Sequence, residues 1–197
     1  PAGGVIVRKA GSREPNGIVE EQAWIPVFMR AIAVDEKEMR VRLARALDIY
    51  AAQGFTTVQD GAVADAVSQH LLQAIHEQRG GGPDIVGFPL AQLEAAGALQ
   101  IEVSDTYELG YRTAGVKFVL DGGTPGRTAY LRKPYYVQLE GEKGYRGYPH
   151  MADQAQINQA VADYYARRIP VNIHALGDAA LDMGLDAVSH AESLHGA

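Results

Sequence analysis

Apolar residues change their spacing along the chain, and each change marks an element. Residues 4–8 alternate loosely and run into Gly11-Ser12-Arg13-Glu14-Pro15-Asn16-Gly17, after which Ile18-Val19-Glu20-Glu21 resumes an extended pattern. This predicts a β-hairpin over residues 1–24 with its corner at Pro15-Asn16-Gly17, where glycine can take the positive φ that such turns demand. From Val34 the period lengthens. Met39, Leu43, Leu47 and Tyr50 fall at i, i+4, i+8 and i+11 behind Asp35 as N-cap, with Glu36 and Glu38 in the first turn. That spacing predicts a helix from Glu36 to about Gln53, stopped by Gly54. A short β-branched run at 55–59 reads as a strand, and 63–78 as a helix ending in Gly80-Gly81-Gly82-Pro83. The pattern then gives a strand at 84–88, a short helix at 90–98 and a strand at 116–120. A helix at 151–168, a strand at 170–174 and a helix from Asp178 to about Ser193 complete it.

Strands and helices that alternate every 30 residues or so are βα units, hence a parallel sheet with right-handed crossovers in an α/β fold. Four such strands within one domain, residues 1–197, suit either a partial (β/α)8 (TIM) barrel or a complete doubly wound sheet. In both, chemistry belongs at the C-terminal ends of the strands. The one long connection, 121–150, carries Tyr130, Tyr135, Tyr136, Tyr145 and Tyr148, half of the ten tyrosines. So many aromatics read as a lid or pocket wall rather than as disorder.

Charge and composition narrow the function classes. The 18 Lys and Arg stand against 24 Asp and Glu, a net charge of −6, which argues against a nucleic-acid or anionic-membrane partner. No apolar run approaches the roughly 20 residues of a membrane span, and the start does not read as a signal peptide. The absence of cysteine excludes disulfides, zinc–thiolate sites and cysteine nucleophiles, and is compatible with cytoplasm or periplasm alike. Any metal must be held by histidine, carboxylate or a modified lysine.

Two residues at the strand ends stand out. Lys117 interrupts the otherwise apolar Gly115-Val116-Lys117-Phe118-Val119-Leu120, so its amine needs a pore or a carboxylate such as Asp121 or Asp60. Alternatively it forms a Schiff base, or takes up carbon dioxide to become an anionic metal bridge. His174 closes the last strand before Gly177-Asp178 and is either a backbone-satisfying residue or a metal ligand or base. The segment 121–128 has glycines, a hydroxyl and Arg127, but lacks the Gly-Lys-Ser/Thr signature of a phosphate loop. His70 and His76, like His190 and His195, lack the i, i+4 spacing of a helical chelate, and no Gly-x-Ser-x-Gly elbow occurs.

Five segments, taken in order, resemble a known family. They are Pro15-Asn16-Gly17-Ile18-Val19-Glu20-Glu21, Gly54-Phe55-Thr56-Thr57-Val58-Gln59-Asp60-Gly61, and Gly115-Val116-Lys117-Phe118-Val119-Leu120-Asp121-Gly122. Arg127-Thr128-Ala129-Tyr130-Leu131 and Ile173-His174-Ala175-Leu176-Gly177-Asp178 follow. Together they resemble amidohydrolase family 3 of the metal-dependent amidohydrolases, in its formamide deformylase-like and exoenzyme-regulator-like branch. The resemblance implies a (β/α)8 barrel that hydrolyses C–N bonds with a metal-activated hydroxide. It implies that Lys117 is the carboxylated strand-four lysine bridging two metals, with zinc the first candidate, and that His174 is the strand-five ligand.

The family's His-x-His after strand one, its strand-six histidine and its strand-eight aspartate have no counterpart here. The expectation is therefore a central fragment, about strands two to five with the N-terminal hairpin, inactive alone, its divalent-metal site unoccupied or only partly filled outside the full-length parent, and prone to self-association through its open barrel edge. Asp60, Asp121, Arg127 and Tyr130 are candidates for the pocket that takes a small amide-type substrate. The alternative is a non-catalytic ligand-binding or regulatory domain of the same fold. A sequential strand order would favour the barrel, and a reversal the doubly wound sheet.

Overall fold

A computed structural model describes residues 4–21, 23–31, 33–138, 143–151 and 153–196. Within the expected hairpin segment, residues 1–3 and 22 lie outside the described residues, as do 139–142 of the expected lid. The chain forms two compact units. One comprises 1–33, 119–163 and 173–197, and the other 34–118 and 164–172.

In the second unit, α2 (Glu36–Ala52) begins where predicted, because the Asp35 carboxylate accepts the Glu38 amide at 2.8 Å. Glu36–Arg40 and Glu38–Arg42 pairs at i, i+4 support its exposed side. Asp65 caps α3 (Ala66–Arg79) in the same way, through the Ser68 amide at 2.6 Å. Gly80, left-handed at φ 69, ends that helix by donating its N–H to Glu77 O. Strands β3 (Thr57–Val63), β4 (Asp84–Pro89) and β5 (Tyr111–Thr113) form a parallel sheet in that order. The short helix α4 (Ala91–Ala95) follows β4. Leu47, Leu72 and Ile75 of the helices pack on Val63, Ile85 and Tyr111 of the sheet as the core of this unit.

Strand β6 (Val116–Val119) pairs with β7 (Val171–His174). The bonds from Val116 N–H to Pro170 O and from Leu120 N–H to His174 O, both 2.9 Å, advance together, as in a parallel pair. Leu90, just past β4, also pairs in parallel with Lys117. The strands therefore follow their sequence order without a reversal. The fold is mixed α/β with parallel sheets, and its helices α5 (Gln154–Ala166) and α6 (Asp178–His195) flank β7 in the chain as predicted.

In the first unit, β1 (Gly4–Arg8) and β2 (Pro15–Glu21) form the predicted antiparallel hairpin, but the corner differs. The chain reverses over Lys9–Glu14, with Lys9 N–H on Glu14 O at 2.9 Å, and Pro15-Asn16-Gly17 already belongs to β2. Asn16 caps its own strand start, accepting the Ile18 amide at 2.9 Å. Two elements have no sequence-level counterpart. Helix α1 (Ile25–Ala31) is a seven-residue apolar segment, and β5 is three residues long, too short for a two-residue period to register. Described residues of 121–150 form neither helix nor strand.

Candidate active site

Alternation along β6 sets the environment of Lys117. Val116, Phe118 and Leu120 are buried, and Phe118 meets Tyr164 of α5 edge-on at 5.7 Å, so Lys117 lies on the opposite face. Its Nζ donates to Asn172 Oδ1 at 3.3 Å, and burial alone pushes its pKa below the usual lysine value. Among the described residues no carboxylate pairs with it. Asp60 cannot, because it shares the helix-facing side of the sheet with Val58. Its register partner Gly87 backs directly onto Tyr111 in the core. Asp60 Oδ1 instead accepts the Ala62 amide at 3.0 Å, and the residue borders a hollow of about 220 Å³ with Leu43, Leu47 and Tyr50 of α2. Sequence reading ends this strand at Gln59. In the structure it continues through an irregular register to Val63, which places Asp60 within the strand.

Asp121 is likewise committed elsewhere. Fully buried in the other unit, its carboxylate accepts three backbone amides, from Tyr130 (2.8 Å), Leu176 (2.9 Å) and Gly177 (2.8 Å). It thereby ties the segment after β6 to the turn that follows β7. His174, the last residue of β7, stands beside this knot with its side chain 38% exposed, Nε2 lying 3.7 Å from Asp121 Oδ1. Nε2 is also 3.1 Å from Gly122 O. A carbonyl can only accept, so Nε2 carries the hydrogen, and in the neutral ring the lone pair sits on Nδ1.

The glycine-rich segment is closed on itself. Gly123 N–H donates to Thr128 Oγ1 at 2.9 Å, Thr128 N–H to Gly123 O at 3.0 Å, and Arg127 N–H to Thr124 O at 3.0 Å. The start of α6 is equally occupied: Tyr130 O accepts the amides of Ala179 and Ala180 at 3.2 and 3.3 Å. Arg132 donates its amide to Asp178 and its guanidinium to both oxygens of Asp182, holding that carboxyl below the usual range. The amides of Gly123, Arg127, Thr128, Ala179 and Ala180 are thus already engaged within the fold rather than offered to a phosphate.

Arg127 and Tyr130 work within the long loop. Arg127 lies over the stacked rings of Tyr135 and Tyr145, 5.5 and 5.4 Å from their centres, and donates to Val137 O at 3.0 Å. Tyr130 accepts Arg146 at 2.5 Å while that guanidinium covers its ring at 4.7 Å. Tyr136 is fully exposed.

Sequence reasoning passed over one cluster. Glu21, at the end of β2, accepts a hydrogen bond from the Thr128 hydroxyl and lies 3.2 Å from His150 Nε2. The hairpin and the loop are 107 residues apart at this contact, and nothing periodic announces it.

A catalytic zinc uses about three protein ligands. Among the described residues no three His, Asp or Glu side chains converge as a metal site. Among the described residues the two expected donors, an imidazole nitrogen of His174 and the amine of Lys117, therefore do not make up a complete set.

Two solved structures share this fold. An uncharacterized metal-dependent hydrolase from Pyrococcus furiosus shares the fold at 21% identity with a TM-score of 0.69, over 94% of this chain and 39% of that one. A second such hydrolase, from Pyrococcus horikoshii OT3, matches at 20% identity and a TM-score of 0.68, over 93% of this chain and 37% of that one. The chain thus spans about two fifths of the length of either. No curated protein matches it significantly. The sequence profile of the amidohydrolase family matches residues 1–196, and the chain belongs to that family.

Proposed function

We propose that this chain is a central part of a metal-dependent amidohydrolase that hydrolyses C–N bonds of the amide type, built on a (β/α)8 barrel. The strand order supports the barrel over a doubly wound sheet, since parallel neighbours follow one another in sequence with no switch point. The observation that carries the chemical reading is Lys117: a desolvated amine, lowered in pKa, with no counter-ion among the described residues. An amine biased toward its neutral form can add carbon dioxide, releasing a proton and becoming an anionic oxygen donor. His174 offers Nδ1 as a nitrogen donor. In such enzymes the divalent ion supplies a hydroxide from water at neutral pH, and an N/O donor set suits zinc.

Other residues support these two. Asp121 holds the turn after His174, and the described part of the loop after β6, with Arg127 and Tyr130, would form the wall against a small amide-type substrate. Asp60, on the helix-facing side, has no part in the metal chemistry. Strand β3 pairs only with β4 among the described residues, so its second edge is open to another copy of the chain. Because the two donors among the described residues fall short of a catalytic set, the chain alone should perform no turnover. Zinc content by elemental analysis across a size-exclusion peak tests this in the wild type, Lys117→Met and His174→Ala. Loading that falls in each variant supports the reading. Equal loading in all three, or zinc-dependent amide hydrolysis by the pure chain, overturns it.

A further inference from the structure

We propose that Glu21, at the tip of the hairpin strand, is a positioning residue for His174 and acts through the carbonyl of Gly122; the proposal rests on the reading of His174 as a metal donor. Glu21 is one of few non-glycine residues in the left-handed region, at φ 48. Such a conformation persists only where the surroundings enforce it, and it clusters at functional sites. Here it ends β2 and turns the carboxylate into the loop.

What the carboxylate meets is buried. One oxygen takes the hydroxyl of Thr128, which is 1% exposed, and the other faces Nε2 of His150, whose side chain is 8% exposed. Thr128 Oγ1 in turn accepts the Gly123 amide at 2.9 Å. Glu20 alongside accepts the Tyr148 hydroxyl at 3.5 Å, so both glutamates of the hairpin hold the same loop. Gly122 is wedged between these groups: a methyl group on its Cα would overlap Glu21 Oε1 and Thr128 Oγ1. Before it, Leu120 O is fixed by the His150 amide at 2.7 Å. The Gly122 carbonyl is therefore held in place, and it receives the hydrogen of His174 Nε2.

This gives the hairpin a chemical task. With Gly122 O fixed, the His174 ring keeps its hydrogen on Nε2 and presents the lone pair on Nδ1. Released from Glu21, the carbonyl can drift, and the ring is free to exchange tautomers. Outer partners of this kind orient a ligand without touching the metal.

The test reads His174 directly, by long-range ¹H–¹⁵N NMR of histidine-labelled protein in the wild type, Glu21→Ala and Glu21→Gln. The wild type should show one tautomer, protonated at Nε2. Glu21→Ala should show averaged Nδ1 and Nε2 shifts. Glu21→Gln, which keeps an acceptor for Thr128, should restore the wild-type pattern. Zinc alone, titrated calorimetrically, should bind about 10- to 100-fold more weakly to Glu21→Ala. Should Glu21→Ala not fold, Thr128→Val removes the same link and serves in its place. His174 nitrogen signals that do not move in the variant overturn the proposal, even if stability or zinc affinity falls. If the wild type shows the fixed tautomer but His174→Ala leaves zinc binding unchanged, the metal reading fails and the positioning role stands.

Discussion

Replacing Asp121 should unfasten the turn that carries His174, and the size of the effect follows from its three bonds. The carboxylate is wholly buried and accepts the amides of Tyr130, Leu176 and Gly177. A hydrogen bond to a charged group contributes about 1.5–3 kcal/mol, and an unsatisfied buried donor costs about 1–3 kcal/mol. The Gly177 amide is buried, whereas those of Tyr130 and Leu176 are partly so and can recruit water into the vacated space. Asp121→Ala should therefore destabilise by about 3–5 kcal/mol, a large share of the ~5–15 kcal/mol typical of a domain.

Asp121→Asn is milder. Its oxygen can replace Oδ2, which serves Tyr130 and Gly177, while its amide group faces the Leu176 N–H and loses one bond. The loss should be about 1–2 kcal/mol. Urea unfolding followed by far-UV circular dichroism measures both. The fluorescence of Trp24, the sole tryptophan and a member of the same unit, gives a second probe. An unchanged m-value would show that stability rather than the extent of unfolding has shifted. A loss below about 1 kcal/mol for Asp121→Ala, or equal losses for Ala and Asn, would refute this account of the knot.

Three further outcomes follow. The Arg167 guanidinium holds Glu94 down at about 2, with the Ile101 amide helping, so the stability this pair contributes is present above pH 4.5 and fades as pH falls toward 2. Arg167→Met should cost about 1 kcal/mol at pH 7 and flatten that acid limb in urea melts taken from pH 5 to 3. Lys117, whose pKa is lowered by burial, penalises the folded state while it is protonated in both states, and the penalty fades as pH rises toward 10.5. Lys117→Met should thus be at least as stable as the wild type at pH 7, an advantage that shrinks at pH 10 in the same melts. A methyl group at Gly87 would run into the Tyr111 ring, so Gly87→Ala should destabilise by about 1–3 kcal/mol. Tyr111→Leu in the same chain should recover part of that loss, which a double-mutant cycle detects.

Helix α2 was legible in the sequence because period and cap agree, Asp35 binding the amide that opens it. Helix α3 was legible by its glycine stop, but its start was read at residue 63, ahead of the Asp65 cap that opens it at Ala66. Lys117 was legible as an anomaly, a charge inside an apolar run. Its partner Asn172 was not, since a contact across 55 residues leaves no local trace. The same reason hid the role of Asp121, whose partners are backbone amides that any residue type could supply. Asp60 was misplaced by strand length. Ending the strand at Gln59 puts it at the mouth, whereas the strand extends to Val63 and its alternation turns Asp60 toward the helices. The hairpin was foreseen and its corner was not, because Asn16 and Gly17 can serve a strand start as readily as a turn.

The central claim concerns the chemistry of Lys117, and ¹³C NMR of the protein with zinc and ¹³C-labelled bicarbonate addresses it most directly. A carbamate carbon signal should appear, be lost in Lys117→Met and be retained in an exposed control such as Lys37→Met. A spectrum without that signal, or a signal that survives Lys117→Met, would contradict the claim.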